Sequence, residues 1–153
     1  MTGGTVLQRA RIEHLPLMLT LVSEFCITDQ HAFDPDRVTR ALVPLLEDDA
    51  HGVVYLADNE QGYVVITWGY SLESGGREAL IDEIYLRRRG EGRGGKVMDA
   101  LFVEMAARGV VKMFLETETH NHRARRFYAR QGFDEDDSIW MSRQISAIES
   151  ANR

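Results

Sequence analysis

Apolar and polar positions alternate with two different periods along this chain, and each change of period marks a change of element. Thr5–Arg9 reads as a short strand. Leu15, Leu19, Val22, Phe25 and Cys26 then recur at helical spacing, with Pro16 tolerable only in a first turn. Asp34-Pro35 predicts a second helix start, a capping acid followed by proline at the first helical position. Its apolar side is Val38, Leu42, Leu45 and Leu46, and Glu47-Asp48-Asp49 reads as a solvated end that opposes the macrodipole.

Gly52–Ala57 and Tyr63–Tyr70 predict an antiparallel hairpin around the turn at 58–62. Gly69 inside the second strand suggests a bulge or a close backbone approach. Ser74-Gly75-Gly76-Arg77 turns the chain into the strand IDEIYL at 81–86, with Ile81, Glu83 and Tyr85 on one face and Ile84 and Leu86 on the other. A basic, glycine-rich turn follows at 89–96. The amphipathic helix predicted over 94–108 carries Val97, Met98, Leu101, Phe102, Met105 and Ala106 and is closed by Gly109. Val110–Thr119 predicts a further strand, 121–131 a short helix stopped by Gly132, and Ser138–Ile145 a last strand. The order β, α, α, β, β, β, α, β, α, β predicts a mixed, mainly antiparallel sheet with helices on both faces.

Length and composition add bounds to this picture. A chain of 153 residues, 44% hydrophobic and 27% charged, is expected to form one globular domain, 1–153, with a core of its own. A net charge of −6 disfavours a general nucleic-acid role. Against that background, residues 87–96 hold Arg87, Arg88, Arg89, Arg93 and Lys96 beside the single acid Glu91. Residues 121–133 hold Arg123, Arg125, Arg126 and Arg130 with no acid. Local basic clusters on an acidic protein suit a small polyanionic ligand. Cys26 is the single cysteine, so no intrachain disulfide forms and a cytoplasmic home is expected. It reads as a buried, inert thiol on the apolar side of the first helix. No apolar run approaches a membrane span, and His120-x-His122 lacks the acid or cysteine that would complete a metal set. Neither a membrane nor a metal is expected.

Strand, glycine turn and helix together gather backbone N–H groups at a helix N-terminus, which is a means of holding phosphate. Several motifs overlap there. Gly90-x-Gly92-x-x-Gly95 matches the dinucleotide fingerprint, but mid-chain and without paired βαβ halves. Gly90 to Lys96 spells the phosphate loop of nucleotide triphosphatases, but Val97 stands where its metal-binding Ser or Thr belongs. Arg89-x-x-Gly92-x-Gly94 resembles the pyrophosphate loop of the GNAT family of N-acetyltransferases. Downstream, Asn121-x-x-Ala124-x-x-Phe127-Tyr128-x-x-x-Gly132-Phe133 resembles the other half of that family's signature, at the family's usual separation. With both halves in register, the chain is identified as a member, strongly over 80–133 and weakly over 12–50.

The resemblance implies acetyl-CoA as cosubstrate and direct transfer to a primary amine in a ternary complex. It implies that the backbone of Ile84, Tyr85 and Leu86 and the loop Arg89, Gly90, Glu91, Gly92, Arg93, Gly94, Gly95 and Lys96 bind the cofactor. Arg87, Arg88 or Lys96 would reach the nucleotide 3′-phosphate, and Asn121 would bond the pantetheine arm. An amine of pKa about 10.4 arrives charged, so a base is needed, and Glu83 is the candidate. Tyr128, a phenol of pKa about 10, is matched to protonate the departing thiolate. In one place the chain departs from the family's pattern: Leu86 runs straight into Arg87-Arg88-Arg89, without the usual proline and spacer. That leaves open which arginine lies nearest the phosphates, and motivates the alternative of an acyl-CoA-binding sensor or assembly module. Asp29, Asp34, Asp36, Glu73, Asp82 and Glu83 are expected to flank the acceptor entrance and favour a small cationic amine. A peptide acceptor and a homodimer stay open.

Overall fold

The computed structural model describes residues 4–145, which fall into two compact units divided after Thr119. The first unit holds β1 (Leu7–Arg9), α1 (Leu15–Thr28), α2 (Pro35–Glu47), β2 (Gly52–Ala57), β3 (Gly62–Ser71), β4 (Gly76–Leu86), α3 (Arg93–Ala107) and β5 (Val110–Phe114). Its sheet runs in chain order, β1-β2-β3-β4-β5, antiparallel throughout except for the parallel pair β4 and β5. That pair needs a crossover, and α3 supplies it.

The sheet is buried on both sides. Val54, Leu56, Tyr63 and Val65 form one core with Met18, Leu21, Val22 and Cys26 of α1 and Leu42, Leu45 and Leu46 of α2. Val53, Tyr55, Val64 and Ile66 alternate with them along β2 and β3 and therefore face the other way. On that side α3 buries Val97, Met98, Leu101 and Met105. Local signals start the helices as expected. Pro16 lies in the first turn of α1, and Asp34 caps α2, accepting from the Arg37 N–H at 3.2 Å. Gly52 and Gly62 are glycines that a close approach requires, because any Cβ there would strike the Ile66 or the Tyr85 carbonyl.

Several expectations are corrected. Gly69 is neither bulged nor crowded; it pairs with Glu78, and a Cβ would meet only ordinary contacts. The irregularity falls instead where Val65 pairs with Glu83 but Ile66 pairs with Ile81, so Asp82 is an extra residue in β4. A bulge of this kind reverses the alternation. Ile81 and Glu83, expected on one face, therefore lie on opposite faces: Ile81 with Ile66 above α3, Glu83 with Val65 above α1 and α2. Asp49 is exposed, as a solvated helix end would be, and it also draws two cations. It accepts from Arg9 at 2.7 Å and Arg108 at 2.8 Å, which ties β1 and the end of α3 together. Burial works to raise the Asp49 carboxyl, and the two guanidiniums outweigh it and hold it below its usual range.

β5 stops at Phe114, well short of Thr119. Its partner β4 is bonded to it only between Arg77 and Leu80. The second unit carries α4 (His122–Arg130). Ser138–Ile145 forms no strand, and Ile139, Trp140, Met141 and Ile145 are exposed. Ile139-Trp140-Met141 is an unbroken apolar run, a poor period-two signal, and a strand exists only where a ladder accepts it. Among the described residues no helix is long and apolar enough to cross a membrane.

Candidate active site

β4 is where the candidate residues of the first unit meet. Beyond Leu80 its edge toward β5 is unpaired among the described residues, while the β3 ladder continues to Leu86. Ile84, Tyr85 and Leu86, half-buried, thus have one backbone edge in a ladder and the other in no strand pairing among the described residues. A strand edge of this kind offers N–H and C=O groups to an extended ligand.

Glu83 stands at the start of that open stretch, half-buried on the α1 and α2 side. Its Oε1 accepts from the Tyr63 hydroxyl at 2.8 Å. Burial pushes the Glu83 carboxyl above its usual range; the Tyr63 bond and nearby His31 pull down, and Asp82 and Asp29 push up. Phe25, Tyr63 and Tyr85 brace one another, with ring centroids 6.1–6.5 Å apart. Cys26, distant in sequence, shares this core with Tyr63. Burial raises its thiol, with the Glu83 charge adding to the effect, which leaves it a poor nucleophile.

A second carboxylate sits at the far end of the stretch. Glu24 of α1 takes two bonds from Arg87, from Nε at 2.8 Å and Nη2 at 2.6 Å, and a third from the Tyr85 hydroxyl at 3.2 Å. The Arg87 bonds above all hold the Glu24 carboxyl low. Arg87, one of the three cations weighed for the nucleotide phosphate, is thus paired with α1. Neither Glu24 nor Tyr63 carries a motif signal; only the fold brings them to β4.

The glycine turn leads into α3 through a run of left-handed backbone. Gly90, Glu91 and Gly92 all take left-handed backbone, with φ of +87°, +57° and +72°. A Cβ on Gly90 or Gly92 would meet no protein atom within 4 Å, so within the chain it is the left-handed backbone that selects glycine there. The Arg93 N–H closes on the Gly90 carbonyl at 3.2 Å and that of Lys96 on Gly92 at 3.0 Å. Gly94 and Gly95 stand in the first turn of α3, where a helix has no acceptors of its own. Beside the loop lies a cleft of about 380 Å³ lined by Thr5, Asp58, Asn59, Arg88, Glu91, Arg93 and Lys96 among others. In it, Asp58 Oδ2 and Arg93 Nε are buried without hydrogen-bond partners. Arg89 is exposed.

In the second unit, Asn121 is the N-cap of α4, its Oδ1 accepting from the Ala124 N–H at 3.1 Å. That gives Asn121 a structural duty beside any contact with a ligand. The Tyr128 ring meets Phe127 and Phe133 edge-on, at 5.1 and 5.8 Å. Burial raises its phenol, which keeps it protonated at neutral pH. Among the described residues no group of three or more His, Cys, Asp or Glu is placed to hold a metal.

Among the acids expected at an acceptor entrance, Asp29 pairs with His31 at 2.7 Å and Asp34 caps α2. Glu73 does not belong with them. It lies in the β3–β4 turn, and the strand from Gly76 to Glu83 alone spans roughly 20 Å.

Comparison with known proteins follows the same line. The Acetyltransferase (GNAT) family matches residues 18–133. Comparison with curated protein sequences finds no match. Among solved structures, an integron cassette protein from the mobile metagenome of Cole Harbour Salt Marsh is 27% identical, covering 92% of this chain and 90% of its own, with a TM-score of 0.80. A protein from Arthrobacter sp. FB24 assigned as an acetyltransferase is 21% identical, covering 95% and 99%, with a TM-score of 0.81. The acetyltransferase AAC(6′)-Iy, solved with a bisubstrate analog of CoA and acetylneamine, is 15% identical, covering 92% and 97%, with a TM-score of 0.73. With its five-stranded mixed sheet, its glycine turn opening α3 and the family match over most of its length, the chain belongs to the GNAT acetyltransferase family.

Proposed function

We propose that this protein transfers the acetyl group of acetyl-CoA to a primary amine of a small, cationic acceptor, by direct attack in a ternary complex. The observation that carries this reading is the open end of β4, where a half-buried carboxylate, an unpaired strand edge and a glycine-rich helix start follow one another within a single short run.

The chemistry needs a neutral amine, and Glu83 takes its proton. Burial suits the carboxylate to this task, since a base whose pKa rises toward neutrality binds a proton more firmly. The amine nitrogen forms its bond to the acetyl carbon, the carbon–sulfur bond breaks with its electron pair going to sulfur, and the thiolate takes the phenol proton of Tyr128; the proton that the nitrogen sheds as it becomes an amide restores the phenol through solvent. Backbone N–H groups at Tyr85 and Leu86 polarise the carbonyl. The amides opening α3, with Arg88 and Lys96, hold the phosphates. Direct attack is favoured over an acyl-enzyme because Cys26, the thiol that faces Glu83, is buried and weakly acidic. A cationic acceptor is favoured by the negative charges of Asp29 and Asp82, which act on Glu83 together. The AAC(6′)-Iy neighbour, whose complex holds an acetylneamine conjugate, is consistent with an amine of this kind.

Thiol release from acetyl-CoA across a panel of polyamines, aminoglycosides and peptide N-termini tests the reading. Intersecting initial-rate lines with a cationic amine are expected; parallel lines would overturn direct attack. Tyr128→Phe should lower kcat by roughly ten- to a hundredfold with little change in the KM for acetyl-CoA. Calorimetric CoA binding with no turnover on any amine would instead make the protein an acyl-CoA sensor.

A further inference from the structure

Tyr63 is the largest side chain fully withdrawn from solvent. Burying a phenol without a partner costs free energy, and its partner here is the Glu83 carboxylate. The register explains why they meet. Tyr63 pairs with Tyr85 and Val65 with Glu83, so Tyr63 and Glu83 are diagonal neighbours on one face. Phe25 meets the ring edge-on and Tyr85 meets it at a tilt.

An ionised carboxylate only accepts, so the hydroxyl donates for as long as Glu83 is charged. Burial and the adjoining Glu83 charge push the Tyr63 phenol far above its ordinary range, so it never gives the proton up. We propose that Tyr63 is the positioning residue for acetyl transfer, its hydroxyl pinning Glu83 Oε1 so that Oε2 is the oxygen turned to the acceptor amine. The proposal rests on the reading of Glu83 as base. The charged and titratable groups around Glu83 come from each element packed on it: Tyr63 from β3, Cys26 and Asp29 from the end of α1, His31 beyond it, and Asp82 on its own strand. Arg37 of α2 stands behind Cys26. Only Tyr63 offers Glu83 a hydrogen bond among these.

The test is the titration of Glu83 itself, followed by carboxyl-carbon NMR in the full chain. Tyr63→Phe removes a bond to the charged form and should move the Glu83 midpoint up by roughly one pH unit. Tyr55→Phe, an equal deletion on the opposite face where the hydroxyl meets Arg108, should leave it in place. The acid limb of kcat/KM should shift with the carboxyl, so activity falls about tenfold below the limb and recovers above it. In a Glu83→Gln background Tyr63→Phe should cost nothing further. An unmoved Glu83 midpoint, or a pH-independent loss that persists beside Glu83→Gln, would make Tyr63 a packing residue and overturn the proposal. If the wild-type chain acetylates no amine, the function reading falls, and the NMR titration still decides whether Tyr63 sets the charge of Glu83.

Discussion

Between Arg77 and Leu80, β4 is hydrogen-bonded on both sides; between Asp82 and Leu86 it keeps only β3 among the described residues. In the first half the inward positions Ala79 and Ile81 are buried, at 0% and 5% exposure. In the second, Glu83, Ile84, Tyr85 and Leu86 are all half-buried, and two of them carry polar tips that reach neighbouring elements. The bulge at Asp82 separates the halves. A bulge bends a strand and re-aims its side chains, and here it moves Glu83 off the α3 face as β4 leaves β5. One strand therefore holds the sheet together at one end and presents a carboxylate and a bare backbone edge at the other. Stability and chemistry should be separable along it.

The widest separation is expected at Glu83. Glu83→Gln keeps the shape and an acceptor for Tyr63 but removes the base. It should lower kcat/KM by roughly two to three orders of magnitude, equivalent to about 3–4 kcal/mol of barrier. The thermal midpoint should hold or rise slightly, because a buried charge is gone. A variant that kept its turnover but melted early would place Glu83 with the scaffold and dissolve the contrast.

Leu101→Ala probes the other side of the same comparison. Leu101 is fully buried in α3, among the residues that cover the sheet face carrying Ile66 and Ile81. Its truncation should cost about 3 kcal/mol of stability. Urea unfolding would show this as an earlier midpoint with the same slope. The kcat of the folded protein should stay within about twofold, since the mutation removes packing and no group in contact with the reaction. A tenfold fall in kcat would mean that the α3 layer sets the geometry of the open end.

How far the sequence could be read differs between the same two regions. The helices and the β2–β3 hairpin follow from local signals that act through neighbouring residues: the Asp34 cap, Pro16 and Pro35 in first turns, the helical stripes of α1 and α3. The glycine turn was legible too, because left-handed backbone selects glycine wherever it occurs. What could not be read depended on pairing. The bulge at Asp82 leaves no mark in IDEIYL, so strict alternation put Ile81 and Glu83 on one face. The ends of β1 and β5 were overrun, since a strand stops where its partner does. The partners of Asp49 could not be read because the arginines that reach it lie 40 and 59 residues away. Tyr63, Glu24 and Arg87 acquire their roles by the same long-range meetings, and a chemical motif lists only residues that touch ligand.

Arg87 offers the smallest effect and the sharpest boundary. Its N–H donates to the Gln61 carbonyl at 2.8 Å and so extends the β3 ladder, while its guanidinium grips Glu24. Arg87→Ala keeps the ladder bond and removes the grip together with the Nη1 bond to Gln61 Oε1 at 3.3 Å. Both side chains are about one-third exposed, at 31% and 32%, so solvent screens the pair. A loss of roughly 0.5–1 kcal/mol is expected at neutral pH and low salt. The pH dependence gives its cause away. Glu24 is held below its ordinary range first by the Arg87 hydrogen bonds, against burial, so the unfolded chain takes up its proton at a higher pH than the folded one. The stabilisation is then complete above the unfolded pKa of about 4.3 and fades as pH falls through the lower folded value. Urea midpoints of wild type and Arg87→Ala should differ by a constant amount from pH 6 to 8 and converge below roughly pH 4. A gap that widened toward acid would mean that Arg87 stabilises the chain through something other than the Glu24 carboxylate.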